Sequence, residues 1–397
     1  MKFKTTYTYP FLLLLCPIIN SCTEPYILET NTYEEALVVE ATITNELKKQ
    51  EITLTKTSRF EDTAPQTEKG ATVFITDNTG TRYDFKEESG KYISTTEFQA
   101  SPGKEYKLNI DTNDGRSFES TTEKLPTINP MQDVKAVVEK KDSVRGVAIR
   151  VSSYDPTNTA KYYRYEYEET YKIIAPNWVS RKIAFNNGSW IFSPNSPDTK
   201  TCYSSKKNTT LLLNSTVNLT EDRVNYLLRF ISDQNYIISH RYSIFVRQYI
   251  ENLASYTYYK TLKKISDSGS LLSPTQPGIL NGNIQSTNNK NNKIVGYFDI
   301  ASVSTQRIYF NYADLFPGEF LPPYYTDCHS FCYDPSVPPP DPPKCERADG
   351  EVEALAYGQT TFFVDRRFDY GFLFWVNAPC GDCTTFSSNI KPPFWID

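Results

Sequence analysis

From Leu37 onward, apolar residues recur at every second position in short runs. Val38-Val39-Glu40-Ala41-Thr42-Ile43, Ile52-Thr53-Leu54-Thr55 and Ala71-Thr72-Val73-Phe74-Ile75 come first. Arg82-Tyr83-Asp84-Phe85, Lys91-Tyr92-Ile93, Tyr106-Lys107-Leu108-Asn109-Ile110 and Ser117-Phe118-Glu119-Ser120 follow. A strand sends successive side chains to opposite faces, so each run has one apolar face and one bearing Thr, Lys or Glu. Turn residues separate the runs: Asp77-Asn78-Thr79-Gly80, Ser89-Gly90 and Asn113-Asp114-Gly115. Short alternating strands joined by turns predict an N-terminal immunoglobulin-like β-sandwich over 36–126. Asp111 to Gly115 superficially matches a calcium loop, but its glycine arrives one position early for an EF-hand, and the flanking strands make it a hairpin turn.

Leu125-Pro126 and Asn129-Pro130 interrupt the alternation and mark a boundary. A second β-sandwich-like domain is expected over 131–312. Its strands are Gly146–Val151, a tyrosine-rich run in which Tyr163, Tyr165 and Tyr167 share one face, Arg241–Ile250, Lys293–Ile300 and Gln306–Phe310. Residues 176–235 read as a less regular insertion, with a strand ending near Ser215-Thr216-Val217 and a helix cap at Thr220-Glu221-Asp222. At 253–268 the period changes. Ala254, Tyr258, Leu262 and Ile265 fall on one helical face, and Asp267-Ser268-Gly269 ends the pattern.

The region 313–397 is rich in cysteine, proline and aromatic residues. Six prolines lie between Pro335 and Pro343, a run that favours polyproline II and cannot pair within a sheet. Phe362 to Val376 reads as aromatic strand, and Pro392-Pro393-Phe394-Trp395 closes the chain. The fold class is therefore mainly β, with two sandwiches, a helical insertion and a disulfide-stapled carboxyl-terminal region.

The amino terminus sets the compartment. Lys2 and Lys4 precede the apolar run Phe11 to Ile19, which is too short to span a bilayer and reads as a signal peptide over 1–21. Ile19-Asn20-Ser21-Cys22 resembles a bacterial lipobox, which makes Cys22 the expected lipidation site and 22–35 a polar tether. Acyl chains contribute about 0.8 kcal/mol per buried methylene, enough when two or more are present for a durable anchor. In an exported protein Cys202, Cys328, Cys332, Cys345, Cys380 and Cys383 read as disulfide partners of undetermined pairing. Cys328-x3-Cys332, next to His329, and Cys380-x2-Cys383 also have zinc-ligand spacing, but export favours disulfides, so no metal or cofactor is expected. The net charge of −5, with no basic stripe, argues against nucleic acid.

Several segments carry a family resemblance. They are Leu37-Val38-Val39-Glu40-Ala41, Gly70-Ala71-Thr72-Val73, Arg241 to Tyr249, Gly282-Asn283-Ile284 with Val295-Gly296-Tyr297-Phe298, Cys380-Gly381-Asp382-Cys383 and Pro392-Pro393-Phe394-Trp395. Together they resemble a Bacteroidota family of outer-membrane lipoproteins known only as a domain of unknown function. The chain departs from it at Ala41, where glycine is usual, and in the Pro-rich insertion. That family is encoded beside SusC-like TonB-dependent transporters. The resemblance implies a lipid-anchored, non-catalytic accessory or scaffold subunit of such a barrel, or of a larger outer-membrane assembly, including β-barrel assembly or secretion machinery. The cell-surface side is expected, with the periplasmic face as the alternative. The competing functions are a glycan- or peptide-binding surface module and, behind it, a surface hydrolase. Only His240 and His329 are present, and GxSxG, HExxH and P-loop motifs are missing. Asp62-Thr63-Ala64 and Asp142-Ser143-Val144 resemble a Bacteroidota O-glycosylation pattern, with Thr63 and Ser143 as acceptors.

Overall fold

The computed structural model describes residues 35–57, 65–186, 189–268, 280, 282–328, 331–333, 360–363 and 373–397. The protein is mainly β, as its alternation predicts.

All of the strands expected between residues 37 and 120 form. Their sheet runs in the order Leu37–Thr44, Glu51–Lys56, Lys91–Ser94, Arg82–Glu88, Thr72–Asp77, Glu105–Asp111, Ser117–Ser120 and Ile284–Ser286. The 111–117 connection is a hairpin turn, with Gly115 at φ +86°. Alternation does the packing: Leu37, Val39, Ala41 and Ile43 point inward against Leu54, Ile75 and Leu108.

This sheet curls back on itself. Strand Ile294–Asn311 lies beside Leu37–Thr44, and the segment leading into Ile284–Ser286 returns to it from the other side. Asn283 closes the gap with its side chain. Its Nδ2 donates to the Phe298 carbonyl and its Oδ1 accepts from the Phe298 N–H, both at 2.8 Å, so the amide acts like a peptide unit of a missing strand. Gly282 permits this approach. A Cβ there would stand 1.5 Å from the Gly296 carbonyl oxygen.

The second unit is a sandwich. One sheet holds Thr201–Lys207, Tyr162–Ile174, Arg241–Glu251 and the second half of Ile294–Asn311. The other holds Asp222–Ser232, Val144–Asp155 and Asp133–Lys141. Val147, Ile149, Val224 and Ile231 face Tyr163, Tyr165, Tyr242 and Ile244 across the core. The expected tyrosine ladder is present: Tyr163 and Tyr165 are fully buried and Tyr167 packs against the same core.

Three local expectations change. The segments 293–300 and 306–310 belong to one strand, Ile294–Asn311. Its residues 294–301 run parallel to 37–44, and 302–311 run antiparallel to 241–250, so the strand changes partner between Ala301 and Ser302. Asp222 starts a strand instead of capping a helix. Its buried Oδ1 accepts from Tyr163 Oη at 2.8 Å and Thr216 Oγ1 at 2.6 Å, hydroxyls that the core would otherwise strand. Helix Leu253–Ser268 forms over the expected span, but its inward face carries Ser255, Tyr258, Tyr259 and Leu262, with Ala254 exposed.

We expect Gly282→Ala to destabilise the protein by about 3 kcal/mol or more, since the obstruction is backbone and cannot swing aside. A urea midpoint close to wild type would show that the sheet closes some other way.

Candidate functional site

The cysteines organise the end of the chain. Cys202, on strand Thr201–Lys207, bonds to Cys383, and Cys328 bonds to Cys380. The Cys380-x2-Cys383 pair therefore ties two separate places to the tail, and these four thiols are not zinc ligands. Cys332 lies in strand Phe331–Tyr333. Cys22, Thr63, His329, Cys345 and the Pro-rich run at 335–343 lie outside the described residues. Ser143 occupies the exposed tip of the hairpin between Asp133–Lys141 and Val144–Asp155. Asp142 and Ser143 there have φ of 50° and 68°, as a two-residue hairpin turn requires. His240 directly precedes strand Arg241–Glu251, and burial lowers its pKa.

The last residues lie against the outer face of the second sandwich. Trp395 is buried edge-on to Tyr203 and Tyr309, the Arg307 guanidinium stacks 3.6 Å from the Phe394 ring centre, and Tyr203 N–H donates to Ser388 O at 2.7 Å. Nearby, Tyr325 meets Phe386 with ring centres 4.4 Å apart.

The strongest electrostatic feature lies where the two units meet, beneath helix Leu253–Ser268. Arg164, on the outward face of its strand, is fully enclosed. Its Nε donates to Glu251 Oε1 at 2.7 Å and its Nη1 to Glu166 at 2.5 Å, while Tyr249 and Tyr259 stack on it at 4.0 and 4.7 Å. Burial opposes the arginine's charge; Glu251, Tyr259, Glu166 and Tyr249 together outweigh that and push its pKa up. Ser255 Oγ donates to the second Glu251 oxygen at 3.1 Å. Asp299, on the partner-changing strand, is also wholly buried. Burial first, and the negative charge of Glu251 second, raise its pKa far above the ordinary carboxyl value, so it is held as the neutral acid. As the neutral acid, Asp299 can donate its proton to the Glu251 carboxylate; Arg164 Nη2 has no hydrogen-bond partner among the described residues.

A second polar group continues the seam. Glu123 accepts from Asn283 Nδ2 at 2.8 Å, Asn252 Nδ2 at 2.9 Å and Thr121 Oγ1 at 3.0 Å. Glu123 thus joins the first unit's last strand, the start of the helix and the residue that closes the curled sheet. Thr42 Oγ1 and Tyr259 Oη meet at 3.4 Å, tying the first strand to the helix. The arrangement is sealed, so its chemistry is cohesion between the units. Arg164, Glu251 and Asp299 were not singled out from sequence. The available signal was charge inside runs otherwise apolar or aromatic, Tyr162–Tyr167 and Ile294–Ala301.

A family described only as a domain of unknown function (DUF4249) matches residues 23–307, which takes in both units and the seam. No curated protein matches. Among solved structures, a DUF4785 family protein from Legionella pneumophila aligns at 11% identity over 53% of this chain and 51% of its own, with a TM-score of 0.18. Trypsin-activated α-2-macroglobulin from Escherichia coli aligns at 10% identity over 56% of this chain and 15% of its own, again at 0.18. The chain thus spans about half the length of the first and far less of the second.

Two outcomes are expected. Because the folded pKa of Asp299 lies above its unfolded value, the folded state holds the extra proton. Its contribution is complete below about pH 4 and declines as pH rises through the elevated folded pKa. Asp299→Asn keeps the shape without the acid, so urea midpoints should vary less between pH 5 and 8 than in wild type; an unchanged pH slope would exclude Asp299 as its source. Replacing Cys202 and Cys383 by serine should cost about 2–4 kcal/mol in thermal unfolding and expose the tail to protease.

Proposed function

Since the chain belongs to the DUF4249 family of domains of unknown function, we propose that it is an outer-membrane lipoprotein held by acylated Cys22 and acting by contact. In this reading its body is a non-catalytic subunit docked on a SusC-like TonB-dependent transporter or a larger barrel-containing assembly, on the cell-surface side. The lipobox ending at Cys22 is the observation that carries the reading. Two features of the body support it. The seam joins both units into one block, which suits a scaffold better than a clamp that must open. A second feature is an apolar edge in front of the stapled tail. Phe320 is 98% exposed and Leu321 53%, followed by Tyr325 at 40%, which rests against Phe386. Exposed apolar groups gathered in one place, rather than scattered singly, are characteristic of protein contact surfaces.

Cys22→Ala should abolish palmitate labelling and release the protein from outer-membrane fractions. Labelling or retention like that of wild type would defeat the anchor. Phe320→Asp with Tyr325→Asp should reduce co-purification of a large barrel from detergent-solubilised membranes without changing the melting temperature. Undiminished recovery would place the contact elsewhere.

A further inference from the structure

Helix Leu253–Ser268 turns one side to the seam and another to solvent. On the solvent side lies a groove of about 720 Å³ lined by Tyr256, Lys260, Lys263 and Lys264 of the helix and by Leu213 from strand Leu212–Ser215. The floor is apolar. Tyr256 is half-buried and braced by Tyr162, their ring centres 4.9 Å apart. The rim is cationic. Lys263 is paired with Asp267 at 3.0 Å, but Lys260 and Lys264 are exposed and have no carboxylate partner among the described residues. Like charges four residues apart on a helix repel each other, so the pair weakens the helix unless an anion lies between them. The chain as a whole carries −5, which makes this concentration of positive charge contrary to the general surface.

We propose that this groove binds an acidic saccharide chain, with Tyr256 and Leu213 beneath the sugar's C–H face and Lys260 and Lys264 paired with its carboxylates. Three features select that class. An apolar floor with a few charged groups at the rim suits a ligand having both an apolar face and fixed charge. Lysine ammonium groups lack the fork with which arginine grips phosphate in two places. The groove runs along the side of the helix and not at its amino end, so backbone N–H groups do not converge on a compact anion, while a chain with charge spread along its length fits. This inference stands independently of the docking partner proposed above.

Full-length protein in detergent, titrated calorimetrically with hexagalacturonate and with its fully methyl-esterified form, tests it. The acidic form should bind, more weakly as salt is raised. The esterified form should bind at least about tenfold more weakly. Lys260→Gln with Lys264→Gln should lower affinity for the acidic form by about tenfold, with unchanged far-ultraviolet circular dichroism. Tyr256→Ala should weaken binding of both forms. Equal affinity for the two saccharides, absence of binding, or a lysine double variant that binds like wild type would overturn the proposal. So would binding to vesicles containing anionic lipid that the saccharide does not compete away.

Discussion

One strand holds this protein together. Ile294–Asn311 enters as the parallel neighbour of the first strand and leaves as the antiparallel neighbour of Arg241–Glu251, with the change between Ala301 and Ser302. Each half completes the sheet of a different unit. Neither unit can separate without breaking hydrogen bonds along a continuous backbone, which distinguishes this junction from two domains on a linker. The rest of the seam follows. A strand shared by two sheets is covered on both faces where they meet, and residues 296–303 are all buried. Polar groups buried at that junction must find partners inside the protein or lose their charge. Arg164 with Glu251 takes the first course and Asp299 the second.

The helix and the tail cover what the strand leaves open. Helix Leu253–Ser268 lies over the junction and contributes Ser255 and Tyr259 to the buried cluster. The carboxyl-terminal residues lie farther along the same outer sheet, pinned through Cys202 and Trp395. Both covers are attached to the outer sheet of the second sandwich, whose inner face already packs on Val147, Ile149 and Val224. That sheet is therefore central to the molecule, although in sequence its strands are scattered from Tyr162 to Asn311.

Much of this was legible in the residues. Strict alternation located the strands of the first unit, and the change to helical spacing located the helix to the residue. Both signals are local and depend only on which side chains share a face. The seam is not local: Arg164 and Glu251 are 87 positions apart, and strand pairing joins Leu37 to Ile294. The long strand read as two because Ser302, Ser304 and Thr305 interrupt its apolar pattern where its surroundings change. At Asp222 an acid among Thr and Glu resembled a helix cap. Its actual partners are Thr216, in the loop six residues before it, and Tyr163, on a strand 59 positions away and beyond any local pattern. Disulfide pairing was equally out of reach, since Cys202 and Cys383 lie 181 residues apart.

The parallel pairing of Leu37–Thr44 with residues 294–301 has a mechanical consequence. Any pull transmitted through the residues before Leu37 enters the body along that strand's own axis. On one side the strand is matched residue for residue with eight partners, and on the other it is matched with Glu51–Lys56. The load falls on those bonds together, in shear, and not on one bond after another as in unzipping. Because the neighbour bearing the load is the same strand that crosses into the second sandwich, tension at the amino terminus is distributed through both units from its first point of contact.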